Sequence, residues 1–342
     1  MIDTVKIVSM IDFNTYNKIQ NSSIIKTSYD NATKEIFYTI INDKIEGTYN
    51  SSISVRVGEG AKYKFAFMYY IEIEGSYHKI MKGYNSHNGY YNLSEIAYNL
   101  IKLVENSYSI SLPSIKHWFL QRIDIAICYD LETQENITTY INNLSFNSFP
   151  RRNLNHYEGE SIYLSGSTTT LKIYNKLKEF QKHDISKFKN TNFDLFKYMS
   201  NIKGYIRFEC EIKKKKLKYI FNKDYIRIDN IIYSELKEIW LNEFQRFFKM
   251  VENDLKIVRK KEEVKLRLEE NYKKVRAKNL YNFFISIQVD GLQSVKNQTN
   301  KSMFYKNISD LKKANVDFSQ KFSISMEDNS IDFNPFNYKE IL

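Results

Sequence analysis

The chain has 342 residues, of which 42% are hydrophobic and 27% charged, so it can build a folded core and is not expected to be disordered. Its net charge of +11 indicates a polyanionic partner, with nucleic acid favoured over an acidic membrane surface, although a merely basic protein stays open. Only two cysteines, Cys128 and Cys210, occur, and no signal peptide or membrane span is recognisable, which predicts a reducing cytoplasm and excludes a disulfide framework.

The first part of the chain predicts β-structure followed by a helix. Apolar and polar residues alternate over 53–57 and again over 63–73, on either side of the turn sequence GEGAK, which predicts a hairpin. Residues 92–107 place apolar side chains at helical spacing, and Asn92 and Glu95 have the spacing of a capping box. We therefore expect a hairpin and then a capped helix.

Three later segments predict strands that carry charged residues. Residues 117–130 contain the sequence RIDIA, residues 160–176 predict two strands around Gly166, and residues 204–217 contain IRFECE. Apolar side chains alternate with polar ones in these segments, which predicts that one face of a sheet collects the charged groups. A helix is expected between the first two segments, over residues 132–144.

The chain changes character near residue 231. An apolar stripe predicts a long helix over residues 234–258, and ten Lys or Arg and four Glu follow between Lys256 and Lys278. Two shorter helices joined by a polar loop are expected after this charged segment, and Asn315 suits a left-handed helix end. This part of the chain is therefore expected to be helical and basic.

The charged residues of two predicted strands form the first chemical pattern. Arg122 and Asp124 point to one face of their strand, and Arg207, Glu209 and Glu211 point to one face of theirs. Ionised groups on a buried sheet face have to be paired or to bind a metal. Two interpretations stay open: structural arginine–carboxylate pairs, or carboxylate ligands for a hard ion such as Mg²⁺ or Mn²⁺.

A tyrosine in the sequence TLKIYNK forms the second pattern. Tyr174 shares a face with Lys172 and Lys176 if this segment is a strand. A phenol has a pKa of about 10 and is a weak nucleophile without assistance, and the two lysines could favour the phenolate or hold a phosphate. The alternative is an ordinary core or surface tyrosine.

Taken in order, these segments resemble the gene II/X family of replication initiators, which serve filamentous phages and some rolling-circle plasmids. The resemblance rests most specifically on Tyr174, Lys176 and Glu179 in a Y-x-K-x-x-E pattern, followed by R-F-E at residues 207–209. Three further segments lie in family-like places, so that the resemblance covers nearly the whole chain: MIDTVKI, HKIMKGYNSHNG and SMFYKNISDLKKANVDFSQKF.

The resemblance implies a site-specific endonuclease and ligase that acts on one strand of duplex origin DNA. Its tyrosine attacks the phosphodiester and keeps the 5′ phosphate as a covalent intermediate, while the free 3′ hydroxyl primes synthesis. Carried over by position, the nucleophile is Tyr174. The metal ligands for Mg²⁺ or Mn²⁺ are then Asp124 and Glu209.

The resemblance also implies supporting roles for neighbouring residues. Lys176 and Arg207 would stabilise the phosphorane-like charge, and Glu179 would act as a ligand or an orienting base. Related rolling-circle enzymes hold their metal with a histidine–hydrophobe–histidine strand, and the five histidines of this chain form no such triplet. His87, in a loop before a helix, is the expected histidine ligand, against the alternative of a surface residue.

Basic residues around these strands are expected to contact DNA. They are Lys172, Arg122, Lys213, Lys214, Lys215 and Lys216. The run KKKKLK that continues from the last strand could track phosphates, or it could be a solvated strand end. The C-terminal helix pair is expected to read an origin hairpin or duplex as a helix-turn-helix variant.

We therefore expect an α+β fold with a central antiparallel sheet. Residues 1–230 would form the catalytic nicking and joining domain, and residues 231–342 a helical, basic region that binds origin DNA. The expected partners are duplex and single-stranded origin DNA and a host helicase and polymerase, in the cytoplasm of a bacterial host and without a membrane, with a homodimer left open. The alternatives are a non-catalytic nucleic-acid-binding protein, and a relaxase or transposase with the same tyrosine chemistry; the absence of a large helicase domain favours initiation.

Overall fold

The structure is a computed structural model of the 342-residue chain. It describes residues 1–21, 24–29, 36–47, 51–59, 69–144, 152–188, 191–254, 261–316, 318 and 334–341.

Within the described residues, eleven strands form one antiparallel sheet. They are β1 (Ile2–Ile11), β2 (Ile24–Tyr29), β3 (Ile36–Glu46), β4 (Ser52–Glu59), β5 (Tyr69–Gly75), β6 (Phe119–Asp130), β7 (Asn153–Tyr157), β8 (Ser161–Ser165), β9 (Thr169–Asn175), β10 (Tyr205–Lys213) and β11 (Lys339–Ile341). Their order across the sheet is β2-β3-β4-β5-β1-β6-β10-β9-β8-β7, and β11 pairs with the end of β6.

Helices of at least four residues connect and cover these strands. In the described ranges they are α1 (Phe13–Gln20), α2 (Tyr77–Lys82), α3 (Leu93–Tyr108), α4 (Gln134–Leu144), α5 (Lys176–His183), α6 (Ile185–Phe188), α7 (Leu195–Asn201), α8 (Lys214–Phe221), α9 (Tyr233–Asp254), α10 (Lys261–Asn271), α11 (Lys274–Asp290), α12 (Leu292–Gln298) and α13 (Lys301–Lys313). None of these helices is long and apolar enough to span a bilayer. The sheet and helices together confirm the expected α+β class.

The local predictions for the first 144 residues are confirmed where the structure describes them. Strands β4 and β5 pair as an antiparallel hairpin, while the predicted turn and the alternating residues 63–67 lie outside the described part of the chain. Helix α3 begins where expected, because the side chain of Asn92 accepts a hydrogen bond of 3.2 Å from the backbone N–H of Glu95. Helix α4 also lies within its predicted span.

The sheet has one apolar face and one polar face. On the apolar face, Ile125 of β6 lies opposite Cys210 of β10, and Ile127 lies opposite Phe208. Helices α3 and α9 cover this face, and Trp240 of α9 is fully buried and donates a hydrogen bond of 3.2 Å to the carbonyl of Phe208. Because alternate residues of a strand point to opposite faces, the charged residues of β6 and β10 all lie on the other side.

The apolar core of the sheet extends beyond residue 230. Helix α9 begins after this point, and its Leu236, Trp240 and Phe244 belong to the same core as the sheet. Phe336 also packs against this core, just before strand β11 joins β6. The expected domain boundary near residue 230 stays a prediction, but the first core includes elements from both sides of it.

Helices α10 to α13 contribute to a second hydrophobic core. Leu268, Leu280, Phe284, Phe304 and Leu311 are buried in it. The expected charged segment forms α10 and the start of α11 where the structure describes it, while its residues 256–260 lie outside the described part of the chain. Part of the expected polar loop forms α12. Asn315 has a φ of 54° after α13, which confirms the left-handed helix end.

The lysine run after β10 does not continue the strand as expected. Lys213 ends β10, and Lys214, Lys215 and Lys216 begin helix α8, since Leu217 reaches the apolar core only when the chain turns there. Lys216 Nζ lies 2.8 Å from Glu243 Oε1 of α9, which ties α8 to α9. The run is therefore a strand end followed by a helix, which corrects the expected extended conformation, while the expected contact of these lysines with phosphates stays a prediction.

Candidate active site

The polar face of the sheet brings several of the predicted site residues together on adjacent strands. In the register of β9, β10 and β6, Glu209 lies opposite Lys172, Tyr174 lies opposite Arg207, and Glu211 lies opposite Asp124. Residues opposite each other in an antiparallel pair share a face. The sequence prediction that Asp124, Tyr174 and Glu209 share one sheet face thus agrees with the register.

Three carboxylates form a compact group at the centre of this face. Asp3, Asp124 and Glu209 each offer one oxygen, and these oxygens all lie within 4.8 Å of one another. Asp3 was not among the predicted site residues. His87, the expected histidine ligand, is not part of the group.

A β-bulge in β1 explains why the sequence pattern does not place Asp3 at the site. Strict alternation would place Asp3 on the apolar face with Val5 and Ile7. Instead, Ile2 pairs with Ile125 and Val5 with Ile123, so that two residues of β1 oppose the single residue Asp124. The extra residue re-aims Asp3 toward the polar face.

Each carboxylate of the group already has a cationic partner. Arg122 holds Asp124 with two hydrogen bonds, from Nε to Oδ1 at 2.8 Å and from Nη2 to Oδ2 at 2.7 Å. Lys172 Nζ lies 2.6 Å from Glu209 Oε1 and 3.4 Å from Asp124 Oδ2. Arg207 Nη2 donates to Asp3 Oδ1 at 2.7 Å. These contacts match the interpretation of structural ion pairs, which therefore stays open beside that of a metal site.

The carboxylates differ in how easily they ionise. Burial raises the pKa of Asp124 to about 7, against the lowering effect of its hydrogen bonds from Arg122. Burial acts on Asp3 in the same direction, but the charges of Arg207 and His78 outweigh it and lower its pKa to about 2. The charged form of Asp124 is therefore disfavoured more than that of Asp3, and a further cation would stabilise the negative charge of Asp124.

The hydroxyl of Tyr174 lies against this carboxylate group. It donates a hydrogen bond of 3.0 Å to Glu209 Oε2 and accepts one of 3.2 Å from Asn85 Nδ2. The residue is only 5% exposed, and burial raises the pKa of its phenol well above the ordinary value despite the nearby Arg207. The phenol is therefore protonated at neutral pH and needs a base to become a nucleophile.

The two lysines beside Tyr174 do not contact its hydroxyl. Lys172 is engaged with Glu209 and Asp124, and Lys176 is fully buried with its Nζ 2.7 Å from Glu179 Oε2. Lys176 begins helix α5 and does not continue β9, which is why it leaves the face it was expected to share with Tyr174. Both lysines are paired with carboxylates in this structure, and the expectation that they favour the phenolate or hold a phosphate stays a prediction.

Arg207 is fully buried under the loop that joins α2 and α3. Its Nη1 donates a hydrogen bond of 2.6 Å to the carbonyl of Ser86, and its Nε has no hydrogen-bond partner among the described residues. The guanidinium thus fixes the loop and Asp3 to the sheet. Its expected contact with a phosphate stays a prediction, as does that of Lys176.

Two histidines lie near the site, and the one closer to the carboxylates was not predicted. His78 of α2 is 1% exposed, and its Nε2 lies 3.6 Å from Asp3 Oδ1. His87 packs its ring against Tyr198 and Tyr205, at centroid distances of 6.2 and 5.5 Å. A single histidine in a six-residue helix shows no spacing pattern, so the sequence offers no signal for His78.

An open pocket of about 250 Å³ borders Tyr174 on the side of β7 and β8. Tyr163, which lies opposite Lys172 on β8, also lines it and is more exposed than Tyr174. The pocket gives a substrate access to the two tyrosines from solvent. The arrangement therefore combines a phenol, a carboxylate that accepts its hydrogen bond, and three carboxylate oxygens that lie close together.

Comparison with known families identifies the family of the chain. A family described as the N-terminal part of a replication-associated protein of the gene II type matches residues 1–230, which include every residue of the carboxylate group and both tyrosines. The match confirms the resemblance inferred from the sequence patterns. No curated protein matches the chain.

Proposed function

The chain belongs to the gene II family of replication-associated proteins, which are rolling-circle replication initiators, and we propose that it nicks and rejoins one strand of its origin DNA through a covalent tyrosine intermediate. The observation that carries the proposal is the hydroxyl of Tyr174, 3.0 Å from Glu209 Oε2 at the edge of the three-carboxylate group. Glu209 lies close enough to accept the proton of the phenol, whose protonated form is favoured by burial.

The reaction exchanges one phosphoester for another. The oxygen of Tyr174 forms a bond to phosphorus as its proton passes to Glu209, and the bond from phosphorus to the 3′ oxygen breaks. That oxygen takes a proton from water and becomes the 3′ hydroxyl primer end. The 5′ phosphate stays on the tyrosine as an ester, so the reverse reaction rejoins the strand without a nucleotide cofactor.

The donor set fits Mg²⁺ or Mn²⁺, because hard divalent ions prefer carboxylate oxygens. Asp3, Asp124 and Glu209 would hold the ion, and when bound it would polarise the phosphodiester and offset developing charge. The ion has to compete with the ammonium of Lys172, which now lies between two of these carboxylates. Glu179 is engaged with buried Lys176 of the same helix, α5, so its role as a ligand or an orienting base requires this pair to open.

Tyr163 is the second candidate for the nucleophile. It lies on the same sheet face as Tyr174 and lines the same pocket, and its side chain is partly exposed where that of Tyr174 is buried. Exposure favours contact with a phosphate from solvent, whereas the hydrogen bond to Glu209 favours activation of Tyr174.

The test is the covalent adduct itself. Purified protein, a labelled origin oligonucleotide and Mn²⁺ should give a protein–DNA adduct at the 5′ side of the nick. We expect Tyr174→Phe to fold, bind DNA and form no adduct, while Tyr163→Phe and Tyr205→Phe keep forming it. If Tyr174→Phe still forms the adduct and Tyr163→Phe does not, the nucleophile is Tyr163.

One observation favours a non-catalytic alternative. The ion pairs of Arg122, Lys172 and Arg207 already neutralise the three carboxylates, as in a structural network that only supports a DNA-binding face. If the wild-type protein binds origin DNA but forms no adduct with any divalent ion, this alternative replaces the nicking proposal.

A further inference from the structure

The pocket beside Tyr174 is built from two separate elements. The β7–β8 hairpin forms one wall and helix α5 forms the other. Its lining residues are Tyr157, Glu160, Ser161, Tyr163, Tyr174, Asn175, Lys178, Glu179, Lys182 and His183. Strand β7 is the last strand in the sheet order, so the pocket lies at the border of the sheet.

The hairpin wall presents aromatic surface to solvent. Tyr157 is 53% exposed, and its ring lies edge-on to that of Tyr163 with centroids 6.1 Å apart. A side chain exposed to this extent leaves much of its ring available for stacking with a planar group. Aromatic rings of this kind stack on nucleotide bases in proteins that bind single strands.

The helix wall presents positive charge. Lys182 Nζ lies 5.9 Å from the centre of the Tyr157 ring, and its side chain is 60% exposed. Lys178 donates a hydrogen bond of 3.1 Å to the carbonyl of Gly159 in the hairpin turn. Of the two acidic residues that line the pocket, Glu179 is paired with buried Lys176 and Glu160 lies 3.5 Å from Lys182. The pocket thus has no unbalanced acidic group among the described residues to repel a phosphate.

We propose that this pocket is a subsite for one unpaired nucleotide next to the scissile phosphate. The base stacks on Tyr157, and Lys182 and Lys178 hold the backbone phosphate, so that the following phosphodiester reaches the tyrosines at the pocket floor. The pocket has a volume of about 250 Å³. A base that is paired inside a duplex is stacked on its neighbours and cannot stack on Tyr157. The subsite therefore requires a locally unpaired strand, and it rests on the nicking function proposed above.

The binding test uses a labelled single-stranded origin oligonucleotide without divalent ions, so that no cleavage occurs. We expect Tyr157→Ala to weaken binding by about tenfold, measured by fluorescence anisotropy, since loss of base–aromatic stacking has effects of that order. Lys182→Ala should also weaken binding, because it removes a phosphate contact. The matched controls are Tyr98→Ala and Lys102→Ala on helix α3. Tyr98 is also 53% exposed with Lys102 Nζ 5.7 Å from its ring centre, and α3 covers the opposite face of the sheet.

An abasic scan of the oligonucleotide locates the base that Tyr157 contacts. One abasic position should weaken binding to the wild-type protein but not weaken binding to Tyr157→Ala any further, because the contact is already lost. The proposal is overturned if both pocket variants bind like the α3 controls, or if no abasic position shows this dependence. Binding is measured without cleavage, so a failure to form the tyrosine adduct would contradict the proposed function and leave this result standing.

Discussion

Asp3 takes part in both interpretations of the carboxylate group, as the ion-pair partner of Arg207 and as the third oxygen ligand of a metal site, so the two interpretations differ in whether the group binds an ion. Asp3 Oδ1 lies 2.7 Å from Arg207 Nη2, and its ligand oxygen is within 4.8 Å of those of Asp124 and Glu209. A bound divalent ion would stabilise the native state by mass action. Ion binding can therefore be followed as a shift in melting temperature, without reference to nicking.

We predict that Mn²⁺ raises the melting temperature of the wild-type protein and that Asp3→Asn abolishes the rise. Asp124→Asn and Glu209→Gln should behave in the same way, since each removes one charged oxygen ligand of the set. Differential scanning fluorimetry with a titration of Mn²⁺ measures the effect, and EDTA should reverse it.

Glu72→Gln is the matched control for these variants. Glu72 is a buried carboxylate on the same sheet face, 3.7 Å from Lys6 Nζ, and lies outside the three-carboxylate group. It should keep the response to Mn²⁺. If neither Mn²⁺ nor Mg²⁺ changes the melting temperature of the wild-type protein, the carboxylates are structural ion-pair partners and not metal ligands.

At the scale of the elements, strand β10 links the two faces of the sheet. Arg207 and Glu209 point to the site, while the ring of Phe208 between them packs against Phe244 of α9. The carbonyl of Phe208 accepts a hydrogen bond from Trp240 of the same helix. The position of Glu209 beside Tyr174 therefore depends on the apolar contacts behind it. A loss of packing on the apolar face should therefore also change the position of Glu209 on the polar face.

We predict that Trp240→Ala lowers the free energy of unfolding by about 3–5 kcal/mol, because it removes a fully buried ring and its hydrogen bond to Phe208. Equilibrium unfolding in urea measures the loss. Tyr219→Ala, which removes an aromatic ring that is 81% exposed on α8, should change the stability by less than about 0.5 kcal/mol. Equal losses in the two variants would contradict the role given to α9.

Regular elements could be predicted from the sequence because their signals are local. Alternation in 117–130 and 204–217 indicated β6 and β10, and the Asn92 cap indicated the start of α3. The bulge that re-aims Asp3 could not be predicted, since it depends on which residues of β6 it faces. Lys176 was misplaced for a related reason: the chain leaves β9 and enters α5 at that residue, and one residue of error reverses the direction of a side chain.

At the scale of the whole molecule, the second hydrophobic core is inserted in the chain between α9 and β11, two elements that pack with the sheet. Helix α9 packs on the sheet, helices α10 to α13 form their own core over residues 264–318, and β11 then pairs with β6. A unit with its own core can be removed without breaking the core of its host. The chain from 261 to 318 carries twelve Lys or Arg against seven Asp or Glu, which suits contact with DNA phosphates.

We predict that replacing residues 261–318 by a short Gly/Ser linker leaves the sheet folded and able to form the tyrosine adduct with single-stranded origin DNA. The variant should lose its preference for duplex origin over unrelated duplex, and the salt dependence of its DNA affinity should become shallower because phosphate contacts are lost. Circular dichroism, the adduct assay and binding measured at several salt concentrations provide the three readouts.

Truncation after residue 230 is the contrasting change. It removes Trp240, Phe244 and β11 from the first core, so we expect it to unfold the sheet and abolish the adduct even with a single-stranded substrate. Two results would contradict this account of the molecule. A folded, active truncation at 230 would show that α9 is dispensable for the core. A linker variant that still selects duplex origin as the full chain does would show that the element that recognises the origin lies outside residues 261–318. The loop between α2 and α3 would then be the element to test next.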